Sequence, residues 1–255
     1  MIIQGAPLGT YRTECPYIPG NSFTSENIIV KEIDYEGLDH LLSLGFRHFG
    51  EHFFRPICPD CHQCIPIRVP VDGFAPSRSL KRVWSRGRKL EFRIGEPVPS
   101  REKHQLYLSH TERFEQKDST GYDGFAESFF HRFPFSRELQ IFDGGRLIAV
   151  SHFDMTAGSL SAVYCYWDRS AAGWSPGTLA VLKEIETARA HRLLYVYLGY
   201  YVPENRHMNY KARFRPSEVL LTEGSWVPFR GPDDNGPAPE IEELEFRPRS
   251  RLVRE

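Results

Sequence analysis

The run Leu139-Gln140-Ile141-Phe142-Asp143-Gly144-Gly145-Arg146, continuing to Met155, reads as a β-hairpin, because the Asp-Gly pair supplies positive φ between two β-rich segments. Thr156 to Ser159 then turns the chain into a third strand, Leu160 to Trp167. Beyond Trp174-Ser175-Pro176-Gly177, Leu179, Leu182, Ile185 and either Ala188 or Arg189 recur at three- and four-residue spacing. This predicts a helix over about Thr178 to His191, with Lys183, Glu184 and Glu186 on its wet face. Leu193 to Tyr200 is strand again. Three antiparallel strands, a helix and a fourth strand imply an α+β meander ending in a right-handed crossover, with the last strand parallel to the one before the helix. Such a crossover opens a cleft at the carboxyl end of the pre-helix strand, facing a helix N-terminus whose amides attract anions.

Working outward, this block belongs to a catalytic-type region over 101–230, preceded by a Cys-rich N-terminal region over 1–75 and a basic connecting segment over 76–100. A polar tail over 231–255 follows. The N-terminal region has one short helical window, Tyr35 to Leu44, where Leu38, Leu41 and Leu42 form an apolar face closed by Gly45. Ile65 to Val71 reads as a strand, Gly121 to Gly124 as a surface loop, and Gly224 to Glu255 as a mobile terminus. At 255 residues, 40% hydrophobic and 13% aromatic, the chain fills a core, which excludes a disordered or fibrous protein. Lys and Arg number 32 against 33 Asp and Glu, so there is no global positive field and any polyanion site is local. No run approaches the roughly 18 apolar residues of a spanning helix, and Met1 to Cys15 lacks a signal-peptide pattern. The chain reads as soluble, cytoplasmic and without a membrane partner.

Cys58-Pro59-Asp60-Cys61-His62-Gln63-Cys64 is C-x-x-C-x-x-C, a spacing that lets three thiolates converge on one centre, with Cys15 as a fourth ligand. Thiolate softness would favour Zn or an iron–sulfur cluster; buried thiols in a turn are the alternative. Arg78 to Arg93 carries a net excess of six positive charges around Trp84 and Phe92. Cations interleaved with aromatics suit phosphates and an unpaired base, and Arg78, Lys81, Arg82 and Arg86 are the candidates; a solvated helix face is the alternative. Met208-Asn209-Tyr210-Lys211-Ala212-Arg213-Phe214-Arg215-Pro216 packs three cations and two aromatics after a strand end, a density suited to a carboxylate or phosphate. Cys165 between Tyr164 and Tyr166 reads as core.

In order along residues 12 to 222, several motifs together resemble the arginyl-tRNA–protein transferase family and, within it, the bacterial aspartate/glutamate leucyltransferases. They are Cys15-Pro16-Tyr17-Ile18-Pro19-Gly20, Gly45-Phe46-Arg47, Phe54-Arg55-Pro56-Ile57-Cys58 with Cys61 and Cys64, Phe74 with Pro76-Ser77-Arg78-Ser79, Ser161-Ala162-Val163-Tyr164, Gly177-Thr178, Tyr195 to Tyr200, and Met208 to Pro216. The resemblance implies a catalytic domain like that of the N-acetyltransferase (GNAT) superfamily. It also implies transfer of an amino acid, Leu in preference to Arg, from aminoacyl-tRNA to the N-terminal α-amine of proteins beginning with Asp or Glu, which marks them for N-degron proteolysis. The sequence departs from the family pattern in Asn21-Ser22-Phe23-Thr24-Ser25-Glu26, where basic residues are expected, in Arg169 after Asp168, and in Ser175-Pro176 before Gly177.

An aminoacyl ester is already activated, so the enzyme must chiefly hold its carbonyl near a neutral amine, and no organic cofactor is expected. Asp168, His152 or a tyrosine hydroxyl are candidates for the weak base, Gly177 and Thr178 for oxyanion or ribose contacts, and Tyr200 or Tyr166 for protonating the departing ribose oxygen. Lys211, Arg213, Arg215 and Tyr210 are the candidates for receiving the acceptor's acidic side chain. Two other functions fit parts of the chain: an acetyl-CoA-dependent N-acetyltransferase on the same strand-loop-helix, and a non-catalytic metal-containing RNA-binding module using Arg78 to Arg93.

Overall fold

A computed structural model describes residues 1–112, 121–131, 133–222 and 224–229. The polar tail at 231–255 lies outside them. The hairpin forms as expected from β7 (Ser136–Asp143) and β8 (Arg146–Met155), but the positive φ values fall on Gly144 (57°) and Gly145 (83°), leaving Asp143 opposite Arg146 in the ladder. The turn into β9 (Ser159–Trp167) is closed by the Thr156 hydroxyl, which accepts from the Gly158 and Ser159 amides at 3.2 and 2.8 Å. The crossover helix α5 (Pro176–Ala190) starts with Pro176 in its first turn, where a missing N–H costs nothing. β10 (Tyr195–Tyr201) returns parallel to β9. The α+β arrangement expected from the sequence is therefore present: an antiparallel meander closed by one β-α-β crossover.

The large sheet is wider than the meander. Its order is β12-β11-β5-β10-β9-β8-β7-β6, with β5 (Ile65–Pro70), β6 (Glu91–Gly95), β11 (Ser217–Leu220) and β12 (Trp226–Phe229) added at the two sides. Ile65–Pro70, read as part of the N-terminal region, thus inserts antiparallel between β10 and β11. Trp226–Phe229, expected in a mobile terminus, is instead an edge strand held by the Val219↔Val227 pairing. The first 56 residues build a second sheet, β1-β2-β4-β3, from β1 (Ile3–Glu14), β2 (Ser22–Ile33), β3 (Arg47–Phe49) and β4 (His52–Pro56). Its helix α1 (Tyr35–Ser43) is capped by Asp34, whose carboxylate accepts from Gly37 N at 2.7 Å, and is terminated at Gly45 (φ 83°).

Apolar side chains of α5, Leu179, Leu182 and Ile185, bury against Leu139, Ile141 and Ile148 of the large sheet, each contributing about 1.5–3 kcal/mol. Helix α2 (Arg78–Gly87) packs on α5 through Gly87, where a β-carbon would meet a Leu179 methyl at 2.4 Å. On the other face, α3 (Arg101–Thr111) and α4 (Tyr122–Phe129) cover an aromatic cluster of Tyr107, Phe125, Phe130 and Tyr166. Gly121 to Gly124, expected as a loop, is the start of α4. Glu184, expected on the wet face of α5, is 1% exposed and faces β8. Among the described residues no helix is long and apolar enough to cross a membrane.

Candidate active site

Parallel pairing between β9 and β10 is confined to Tyr195↔Ser159, Val196↔Leu160 and Tyr197↔Ser161. Past these positions the strands part, and the splay opens at the carboxyl end of both, the edge where α5 begins. A shift in register between Tyr197 and Gly199, with Gly199 at φ 84°, bends β10 away. The gap is filled from the other sheet. Arg47 of β3 donates through Nη1 to Ser161 Oγ at 2.7 Å and through Nη2 to the Ala162 carbonyl, which is beyond the last paired rung of β9.

A second cation meets Arg47 across Gly199. A β-carbon on Gly199 would stand 3.4 Å from Arg47 Nε and 3.5 Å from Lys211 Nζ, so the missing side chain lets both approach the strand. Lys211 is 8% exposed; its ammonium donates to the Tyr200 carbonyl at 2.8 Å and lies 3.6 Å from Met208 Sδ. Burial and then the charge of Arg47 push its pKa down to about 7, partly opposed by Cys64. Burial lowers that of Arg47 as well. The hydrogen-bond partners of both cations are neutral, and no carboxylate stands at ion-pair distance from either among the described residues. Glu184 lies close enough to Arg47 to feel its charge, yet burial raises the carboxyl pKa to about 7. One carboxyl oxygen accepts from Ser151 Oγ at 2.7 Å, and the other, Oε2, has no partner.

The expected catalytic and acceptor-binding residues fall into three places. Lys211 and Tyr200 flank the splay; the Tyr200 hydroxyl donates to Gly45 O at 2.9 Å, tying β10 to the small sheet. Tyr210 and Arg215 are half-buried beside Lys211, with Arg215 Nε donating to Ala212 O at 3.1 Å, while Arg213 is exposed and reaches Ser79 Oγ of α2 at 3.4 Å. At the end of β9, Asp168 caps a short 3-10 turn (Arg169–Trp174) by accepting from Ser170 N at 2.8 Å and pairs with Arg146. The Ser170 contacts and Arg146 hold its carboxyl below the ordinary range, so it is a weak proton acceptor. Gly177 and Thr178 lie in the first turn of α5, where the Thr178 amide already donates to Ser175 O at 3.0 Å. Tyr166 and His152 are in the aromatic core under α3 and α4, 3.3 Å apart from hydroxyl to Nε2. Burial raises the Tyr166 pKa and depresses that of His152 to about 3, so both are neutral.

Helix α2 flanks this edge, its first turn beside Arg213 and its last beside the start of α5. Arg78, Lys81, Arg82 and Arg86 are exposed on it and unpaired among the described residues, with Trp84 half-buried between them. Cys15, Cys58, Cys61 and Cys64 are free thiols that share one neighbourhood near Tyr17 and Lys211. Soft thiol donors would suit Zn or an iron–sulfur cluster, but Cys58 Sγ instead accepts from Thr24 N at 3.2 Å. Among the described residues no three Cys, His, Asp or Glu side chains stand as a ligand set. The chemistry proposed for this chain routes no step through a metal. Sequence reasoning assigned no role to Arg47 or Glu184. A visible signal was Arg47 between Phe46 and Phe49, a charge on a strand too short to need one.

The N-terminal model of the arginine-tRNA-protein transferases matches residues 13–82, and the C-terminal model matches 102–221. An aspartate/glutamate leucyltransferase of Pseudomonas fluorescens Pf0-1 is 34% identical over 230 residues, covering 87% of this chain and 97% of the relative. One from Stutzerimonas stutzeri A1501 is 35% identical over 230 residues, with the same coverage, 87% and 97%. Among solved structures, the C-terminal domain of a putative lysylphosphatidylglycerol synthetase from Agrobacterium fabrum overlaps with a TM-score of 0.46 at 17% identity, covering 75% of this chain and 62% of that one. The two family models meet in the splay, since Arg47 falls in the first and Gly199 and Lys211 in the second: this chain belongs to the arginine-tRNA-protein transferase family and is an aminoacyltransferase.

Proposed function

We propose that the chain transfers leucine from aminoacyl-tRNA to the N-terminal α-amine of proteins that begin with Asp or Glu, and so marks them for N-degron proteolysis. The observation that carries this reading is the pair of cations at the splay, Arg47 and Lys211, whose own partners are all neutral. A desolvated cation with no carboxylate at ion-pair distance is costly, and an arriving carboxylate relieves that cost in a charge-assisted bond of about 1.5–3 kcal/mol. The acidic side chain of the acceptor's first residue supplies it.

The remaining geometry supports the same orientation. The exposed cations of α2 lie along the edge where the strands open and take the tRNA phosphates. The first turn of α5, with Gly177 and Thr178, receives the aminoacyl end. With the acceptor carboxylate fixed at Arg47 and Lys211, its α-amine is held beside the ester carbonyl, a proximity effect of several kcal/mol. The amine attacks the carbonyl carbon, the bond to the ribose oxygen breaks, and a proton passes from nitrogen to that oxygen through water. An α-amine with a pKa near ~8 needs no strong base for this. The products are the lengthened protein and uncharged tRNA.

The experiment is incubation of the protein with Leu-tRNA or Arg-tRNA and peptides beginning with Asp, Glu, Asn or Gln, read by mass spectrometry. Leucine addition to the Asp and Glu peptides, with Asn and Gln slower by about tenfold or more, is the expected result. Equal rates for Asp and Asn would remove the acidic acceptor, and arginine addition alone would replace the donor.

A further inference from the structure

We propose that the buried pair His48–Asp154 is a positioning device that holds Arg47 in the splay, and that it sets affinity for acidic acceptors without touching them. The inference rests on the reading of Arg47 as an acceptor-binding cation. Its own support is geometric. β3 has only three residues and is the edge strand of the small sheet, paired on one side alone, to β4. A strand that short gives little purchase on a guanidinium reaching into another sheet.

The large sheet provides what β3 lacks. Asp154 of β8 and Ser161 of β9 face each other in register, and Arg47 and His48, adjacent in sequence, take one each. Arg47 bonds Ser161, while His48 Nε2 lies 2.7 Å from Asp154 Oδ2. The two groups of the pair are 6% and 2% exposed. Asp154 is itself fixed, because its second oxygen accepts from Ser136 Oγ at 3.1 Å. The imidazole is stacked on Phe53 at 4.4 Å and edge-on to Phe133 at 6.0 Å. Its Nδ1 faces the Gly50 carbonyl at 3.0 Å. Both ring nitrogens thus face oxygen atoms, and the two contacts tie β3 to β8.

His48 and Asp154 touch no acceptor; their effect passes through Arg47, by way of the backbone of residue 47 and of the Asp154 charge that Arg47 feels. That makes them positioning residues, and a double-mutant cycle on the full-length protein tests the assignment. Arg47→Ala, assayed with peptides beginning with Asp and with Asn, examines the underlying reading: a KM for the Asp peptide raised by about tenfold or more upholds it, and an unchanged one defeats it whatever the pair does. Asp154→Asn should raise the KM of the Asp peptide by about tenfold while kcat, the KM of aminoacyl-tRNA and the Asn-peptide KM stay within about twofold. In the Arg47→Ala background, Asp154→Asn should add nothing.

If the two effects multiply, or if Asp154→Asn harms Asp and Asn peptides alike, the pair is structural and the inference is overturned. If Asp154→Asn leaves the Asp-peptide KM unchanged, it is overturned as well. His48→Gln, which keeps an amide donor toward Asp154, should show a smaller rise in the same parameter. It also carries the cycle if Asp154→Asn does not fold. Failure of both variants to give a cooperative urea transition counts against positioning, since the pair would then hold the fold rather than one side chain.

Discussion

Replacing Glu184 by Gln should stabilise the protein, and by an amount that depends on pH in a defined direction. The carboxyl is buried under α5, holds one bond to Ser151 Oγ and leaves Oε2 unpartnered, so its charged form is disfavoured in the folded chain and its pKa rises from 4.5 to about 7. A raised acid binds its proton more tightly when folded than when unfolded. Its stabilising contribution is complete below 4.5 and is lost as pH rises through about 7. At about 1.4 kcal/mol for each tenfold change in proton affinity, the loss by pH 8 is about 3 kcal/mol. Glutamine has nearly the same shape, accepts the Ser151 bond and does not titrate. Urea unfolding of both proteins between pH 5 and pH 8.5 isolates the effect, because other titrations cancel in the difference. The variant should gain on the native protein steadily as pH rises, approaching 3 kcal/mol, in order of magnitude, at the alkaline end. A difference that is constant with pH would show that Glu184 is hydrated or paired, and the reasoning from its burial would fail.

Other expectations follow from the splay and the basic helix. Lys211 loses its charge as pH rises through about 7, so KM for an Asp peptide should climb between pH 6.5 and 8.5 while that for an Asn peptide stays flat; parallel profiles would remove Lys211 from acceptor binding. Gly199→Ala must place a side chain at φ 84° against Arg47 and Lys211, which should cost about 1–2 kcal/mol in urea unfolding and raise the acceptor KM. Unchanged stability and KM would mean that β10 relaxes there at no cost. Reversing the charges of Arg78, Lys81, Arg82 and Arg86 should weaken tRNA binding and flatten its salt dependence by roughly one unit of slope per lost phosphate contact, with peptide KM untouched. Normal binding at moderate salt would leave α2 a solvated face.

The parts of the fold legible in the sequence are those with local causes. Gly144-Gly145 between β-rich runs and the Leu179, Leu182, Ile185 spacing define the hairpin and crossover without reference to the rest of the chain. Pairing that depends on distant segments was not legible: nothing in Ile65–Pro70 announces that it inserts between β10 and β11. Helices α3 and α4 escaped because their buried faces are built of His104, Tyr107, His110 and Phe125, so no aliphatic stripe marks them. For the site, Met208 to Pro216 drew attention as a cluster of cations, yet only Lys211 of its three turns inward. The burial of Glu184 is not legible in the sequence because polarity in an amphipathic helix ordinarily means water. A carboxylate kept inside is visible only once Ser151 and Arg47 stand beside it.

The three-rung pairing of β9 with β10 places a free strand edge in the middle of a sheet. Edges at a sheet's rim are normally guarded by charge, proline or shortness, because unpaired backbone groups recruit other chains. Here the guard is a guanidinium lent by the neighbouring sheet, which occupies the Ala162 carbonyl. Docking of the two sheets and protection of this inner edge are therefore one event. Backbone amides lining the gap should report it in hydrogen exchange, becoming unprotected at the lower free energy at which the small sheet lifts away rather than at that of global unfolding.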